Sequence, residues 1–204
     1  MPTSPPRPAV APRRGRGRRP ADDVRADALR TVGQMLLRDG LESVTFERVA
    51  RESGVSKTTL YRWWPSVGVL ALESYFLAVE PALRFPDTGD VRADVATQLH
   101  RFVDVMTTTP GGRVLTELVG RSQSDPDLSE AYRRLYSSGR RRLAVERFAL
   151  AQEQGQIRAG LDLQVLVDQL WGAVYHRLLI PDEPVDHEFA DALVAHLFDG
   201  VVPR

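Results

Sequence analysis

Apolar residues return every three or four positions along most of this chain, and no long stretch alternates apolar with polar, so the pattern predicts helices. Leucine occurs 24 times and isoleucine twice, a usage that disfavours strands, which draw on β-branched residues. The first helix is expected from about Asp22 to Arg38, with Ala28, Leu29, Val32, Met35 and Leu36 as its apolar stripe and Gly40 as its stop. Thr45 is placed to cap a short second helix through Val49 and Ala50 to about Ser53. After Gly54, Ser56 caps a third helix that reaches Trp64, where Pro65 ends it. A fourth helix covers Val67–Val79, with Gly68 as a plausible flexible point, and Phe85–Asp90 reads as a loop. Longer helices follow at Val91–Thr108, Arg113–Gln123, Asp127–Gln154, Leu163–Leu179 and Asp186–Phe198, with breaks at Pro110-Gly111-Gly112, Asp125-Pro126, Gly155, Gly160 and Pro181.

Composition narrows the class. The 204 residues are 43% hydrophobic and 26% charged, the balance of a globular protein. No apolar run nears the ~18 residues of a membrane span, and the first residues lack the apolar stretch of a secretory signal. With no cysteine there are no disulfides, thiolate metal sites or thiol chemistry, which fits the cytoplasm. A net charge of zero hides a split: residues 1–64 carry +6 and the remainder −6, so an anionic partner is expected at one end. Residues 1–20 hold six prolines, six arginines and no acidic residue, and are expected to lack order. Arg13, Arg14, Arg16, Arg18 and Arg19 are then either a solvated tail or an arm that reaches phosphates or a minor groove.

Three short helices with a tight turn between the second and third suggest a helix-turn-helix. Ala50 is small where two helices cross, Gly54 suits a left-handed turn, and Val49, Val55 and Leu60 supply the inner packing. On the third helix Leu60, Trp63 and Trp64 fall on one arc, while Lys57, Thr58, Tyr61 and Arg62 fall on the other. The outer arc carries donors suited to phosphates and base edges, and Lys57 is the chain's one lysine.

The segment Thr45-Phe46-Glu47-Arg48-Val49-Ala50-Arg51-Glu52-Ser53-Gly54-Val55-Ser56-Lys57-Thr58-Thr59-Leu60-Tyr61-Arg62-Trp63-Trp64-Pro65-Ser66 resembles the DNA-binding signature of TetR/AcrR transcriptional regulators. The stretch Leu170-Trp171-Gly172-Ala173-Val174-Tyr175-His176-Arg177-Leu178-Leu179 resembles, with less specificity, the C-terminal domain of a subset of them. The resemblance implies an all-α chain. A helix-turn-helix head at 21–66 is followed by a linking helix at 67–81 and a helical ligand-binding and dimerisation domain at 82–204. It implies that Thr45, Ser56, Lys57, Thr58, Tyr61 and Trp63 meet DNA, with Arg62 between the last two, and that Leu60 and Trp64 are buried. Family members usually carry a lysine where this chain has Val67, so one phosphate contact is expected to be missing.

The last two predicted helices carry broad apolar faces: Leu163, Leu166, Leu170, Val174 and Leu178 on one, Phe189, Leu193, Val194 and Leu197 on the other. Intramolecular core is one reading of them; the resemblance adds a four-helix homodimer interface, which would present two heads to operator half-sites ~34 Å apart. Phe102, Met106, Tyr132, Tyr136, Trp171, Tyr175 and His176 are either core or the lining of a pocket for an apolar or aromatic ligand. No zinc-protease histidine spacing, phosphate-cradling glycine loop or nucleophile elbow occurs, so neither catalysis nor a cofactor or metal is expected. The expected function is a ligand-responsive, dimeric regulator, most simply a repressor on a pseudo-palindromic operator. The rival readings are a nonspecific nucleic-acid or anionic-surface binder acting through the arginine tail, and an enzyme using the C-terminal pocket.

Overall fold

The computed structural model describes residues 20–200, so the arginines proposed as an arm (Arg13, Arg14, Arg16, Arg18 and Arg19) lie outside the described residues. Every regular element among the described residues is helical. Helix α1 (Ala21–Asp39) is followed by a turn of 3₁₀ helix at Leu41–Ser43, then α2 (Phe46–Ser53), α3 (Lys57–Trp63) and α4 (Val67–Val79). The body holds α5 (Val91–Thr107), α6 (Gly111–Ser122), α7 (Pro126–Leu135), α8 (Arg142–Glu153), α9 (Leu163–Val167), α10 (Ala173–Leu179) and α11 (His187–Asp199). The apolar stripe of α1 faces α4, with Ala28, Val32, Met35 and Leu36 fully buried. Helix α4 is apolar nearly all round because it is covered on both sides, by α1 on one and by α6 and α7 on the other.

Two expected long helices are each interrupted by π-helical turns. Tyr136–Arg141 separates α7 from α8, and Asp168–Gly172 separates α9 from α10. Neither site contains proline, but each holds a glycine, Gly139 in the first and Gly172 in the second, which weakens regular helix there. The predicted break at Pro110-Gly111-Gly112 is confined to Pro110, since both glycines open α6. Gly112 is required by close approach: a Cβ there would sit 1.9 Å from the Met106 carbonyl oxygen. Gly68 lies in the first turn of α4, where a Cβ would make ordinary contact with the Leu128 side chain at 3.4 Å.

A buried ion pair ties the body together. Arg147 of α8 donates to Asp94 of α5 at 2.7 and 3.0 Å, and Thr88 adds its backbone N–H and its hydroxyl. Burial alone would push the Asp94 pKa up; the bonds from Thr88 and Arg147 outweigh it and hold the carboxyl below its ordinary value.

Candidate functional site

Capping builds the corner between α2 and α3. The Thr45 hydroxyl accepts from the Arg48 N–H at 3.1 Å, and the Ser56 hydroxyl accepts from the Thr59 N–H at 3.2 Å. Between them Gly54 takes a left-handed φ of 72° and returns its N–H to the Ala50 carbonyl at 3.0 Å. Val49, Val55 and Leu60 are buried beneath this corner. At its edge Arg38 and Arg48 bond Asp39, and those bonds, Arg38's first, pull the Asp39 pKa down to about 2.

Thr45, Ser56, Lys57, Thr58, Tyr61 and Arg62 are exposed together at this corner. Tyr61 is 57% exposed, yet its ring centroid lies 4.4 Å from that of buried Phe46, so α2 braces it. Trp63 belongs to neither arc alone. It is half-buried, edge-on to Trp64 at 5.6 Å, and lines a surface groove with Val24, Gly54, Ser56 and Arg62. Lys57 is not free: its Nζ donates to Glu47 Oε1 at 2.7 Å, and this bond leads in holding the Glu47 carboxyl below the usual range. The spacing of Glu47, two residues beyond the Thr45 cap, gave no signal of that pairing.

Glu73 on α4 is a second residue that the sequence reading missed. It accepts from Arg25 of α1 at 2.6 and 2.7 Å and from the indole N–H of Trp64 at 2.7 Å. The Arg25 guanidinium also stands 4.9 Å from the Trp64 ring centroid. One carboxylate thus joins α1, the end of α3 and α4. On the far side of the head, Arg121 of α6 pairs with Glu42 in the 3₁₀ turn after α1.

Within the body, a narrow cavity of about 30 Å³ is lined by α4, α5, α6, α10, the two π-helical turns and the ends of α8 and α9. That is room for one or two water molecules. Of the expected lining, Phe102, Tyr136, Trp171 and Tyr175 border it. Met106 is buried in the core instead, Tyr132 stands behind Tyr175, donating to its hydroxyl at 3.1 Å, and His176 is exposed. The sequence reading missed Tyr75, Phe76 and Val79 of α4 and Arg140 of the first π turn, all of which border the cavity. Helical spacing could not have singled out the α4 residues, since that helix is apolar nearly all round.

The expected dimer face divides in two. Leu166, Leu170, Val174 and Val194 are buried within the protomer and belong to its own core, because α9, α10 and α11 pack inward on those sides. Leu163, Leu178, Phe189, Leu193 and Leu197 are half-buried, and Leu179 and Ile180 are exposed. No group of three or more His, Asp and Glu residues among those described could hold a metal ion, and no described helix is long and apolar enough to cross a membrane.

Comparison with known proteins gives consistent matches. Residues 34–73 match the family of bacterial regulatory proteins, tetR family, and residues 85–197 match the Tetracyclin repressor-like, C-terminal domain. The HTH-type transcriptional regulator YdeS of Bacillus subtilis is 33% identical over 187 residues, 90% of this chain and 92% of that protein. The DNA-binding transcriptional repressor TetR of Mycobacteroides abscessus is 30% identical over 190 residues, 88% of this chain and 93% of that one. The crystal structure of the TetR family transcription regulator SCO0332 superposes with a TM-score of 0.86 at 66% identity, over 89% of this chain and all of that one.

Proposed function

The chain belongs to the tetR family of DNA-binding transcription regulators, and we propose that it is a dimeric repressor released from a pseudo-palindromic operator by a small ligand. The family consists of regulators rather than enzymes. The observation that carries the DNA-binding reading is the exposed corner of α2 and α3, where donors from both helices share one surface over a capped and buried base. Lys57 and Arg62 reach phosphates, Thr45 and Ser56 add hydroxyl contacts, and Thr58, Tyr61 and Trp63 meet base edges and sugars in the major groove. Lys57 exchanges Glu47 for phosphate on binding, and the arginines before residue 20 supply sequence-independent attraction where Val67 offers none. The half-buried and exposed apolar residues of α10 and α11, Leu178, Leu179, Phe189, Leu193 and Leu197, pair with a second copy. The repressor of Mycobacteroides abscessus, alike over most of both chains, favours repression over activation. The protein then acts where the DNA is, in the cytoplasm.

Competition titration tests this reading. The operator duplex, selected from the flanking DNA of the protein's own gene, should outcompete scrambled duplex by ~10³ or more at physiological salt. Equal affinity for scrambled DNA would leave a nonspecific binder.

A further inference from the structure

Arg140 stands in the π-helical turn between α7 and α8 and borders the cavity beneath α4. The two arginines that follow it are both paired with acids: Arg141 bonds Asp168 at 2.7 Å and Arg142 bonds Glu146 at 2.5 Å. Arg140 has no carboxylate partner among the described residues; one nitrogen donates to the Leu83 carbonyl at 3.0 Å. Burial pushes its pKa down. Glu80, an exposed carboxylate, acts on it through space without a hydrogen bond to it and does not outweigh that burial. Tyr75, Tyr136 and Tyr175 are phenols whose pKa values burial pushes up, so they stay neutral and act as donors. The Tyr75 hydroxyl is buried with no hydrogen-bond partner, in a residue only 1% exposed. Tyr175 accepts from Tyr132, which leaves its own proton to be given onward.

We infer that this cavity takes a small, flat apolar molecule bearing one carboxylate, the acid group lying against Arg140 with the Tyr75 and Tyr175 hydroxyls donating to it. The inference rests on the reading of the cavity as the effector site and names the chemistry of its ligand. A half-buried cation with no carboxylate bonded to it and an unpartnered buried hydroxyl are both costly, and one ligand anion satisfies both. Phe76, Phe85, Phe102 and Trp171 supply the apolar walls for the rest of the molecule. At about 30 Å³ the cavity must widen to admit such a body. The lining that can yield is the rim, where Leu143 is 43% exposed and Phe85 half-buried. Both interruptions of regular helix border the cavity, and the Arg141–Asp168 pair joins them, so the wall here is built from the turns least tied to regular helical bonding.

The test uses three matched pairs of probes on the full-length protein at pH 7.5: benzoate with benzyl alcohol, 1-naphthoate with 1-naphthylmethanol, and decanoate with decanol. Calorimetric titration should show at least one acid binding ten-fold or more tighter than its alcohol. Arg140→Gln should weaken that acid roughly 10- to 100-fold while leaving the alcohol within a few-fold, and Arg140→Lys should keep most of the preference. Tyr75→Phe, which keeps the ring and the charge, should weaken the acid by a smaller factor; melting curves establish that each variant is folded. Equal binding of acid and alcohol, or a preference that survives Arg140→Gln, overturns the carboxylate inference and leaves an apolar effector site. Binding by no member of any pair overturns the effector-cavity reading itself, and the inference with it.

Discussion

Glu73 is the residue whose loss should be felt most widely for its size. Its carboxylate is the acceptor for Trp64 Nε1 at 2.7 Å and the ion-pair partner of Arg25, so Glu73→Ala removes both at once. Trp64 is 1% exposed, and its N–H would be left buried without an acceptor, at about 1–3 kcal/mol. The charged bonds from Arg25 add less than their full worth, because that side chain is 37% exposed and water replaces part of the interaction. The expected cost is about 2–4 kcal/mol in unfolding free energy. Glu73→Gln should cost about half that, since the amide oxygen still accepts from the indole. Urea unfolding followed by tryptophan fluorescence measures the first quantity. Operator affinity with and without saturating effector measures the second: in Glu73→Ala the ratio of the two affinities should fall toward one, because α4 no longer holds α1 and α3 through a shared acceptor. An Ala variant as stable as the parent, with the ratio unchanged, would refute the claim that this carboxylate links head and body.

Two further outcomes separate surface from core. Tyr61→Ala should weaken operator binding at least ten-fold with little loss of stability, while Trp64→Ala should destabilise the head by ~3–5 kcal/mol; paired melting and binding curves showing the reverse would mean the two faces of α3 are exchanged. Asp94→Asn should cost about 3–5 kcal/mol at pH 7 by leaving Arg147 buried without its partner. Because the folded-state pKa of Asp94 lies below its unfolded value, the pair's stabilisation is present above about pH 4 and lost as pH falls through the folded value, so the gap between parent and variant should narrow in acid. A gap of the same size at pH 7 and pH 3 would show that the charge of Asp94 contributes nothing.

The head was legible in the sequence because its determinants are local. Thr45, Gly54 and Ser56 act on backbone groups within four residues of themselves, so their spacing alone located α2 and α3. What escaped depends on distance along the chain. Glu73 is 48 residues from Arg25, and Arg147 is 53 from Asp94; no periodicity announces such partners. The cavity was half legible for the same reason. Phe102, Tyr136, Trp171 and Tyr175 stood out as aromatics in a domain expected to hold a ligand, but Tyr75 and Phe76 lay in a helix already assigned to linking. Arg140 was hidden among three consecutive arginines, and only the structure shows that two of them find acids and one does not. An apolar stripe cannot say how many of its residues the protomer keeps: Leu170 and Val174 serve its own core, whereas Leu178 on the same face stays half open.

The geometry also widens the route by which ligand and operator can oppose one another. Covalently, α4 alone connects body to head, which makes it the natural lever. Yet both helices that touch the head also border the cavity. Helix α4 contributes Tyr75, Phe76 and Val79 to the lining and Glu73 to the head, and α6 contributes Leu115 to the lining and Arg121 to the pair with Glu42. A molecule larger than about 30 Å³ that widens the cavity would lie against both helices. Glu73 and Tyr75 are two residues apart, about 200° around the helix. One side of α4 therefore receives the displacement while another holds Arg25 and Trp64. Helix α4 has no break along its length and is packed on both sides, so under the proposed function it would move as a unit. In a dimer, a small tilt of each rod changes the separation of the two α3 helices, and a ligand that favours the tilted state by about 1–3 kcal/mol suffices to lower operator affinity by one to two orders of magnitude. The Arg121–Glu42 pair is exposed and gives little resistance, whereas the Glu73 carboxylate is shielded and shared by two partners. Under the proposed function, then, a tilt would reach the head mainly through α4 and the Glu73 carboxylate, with the exposed α6 pair giving way.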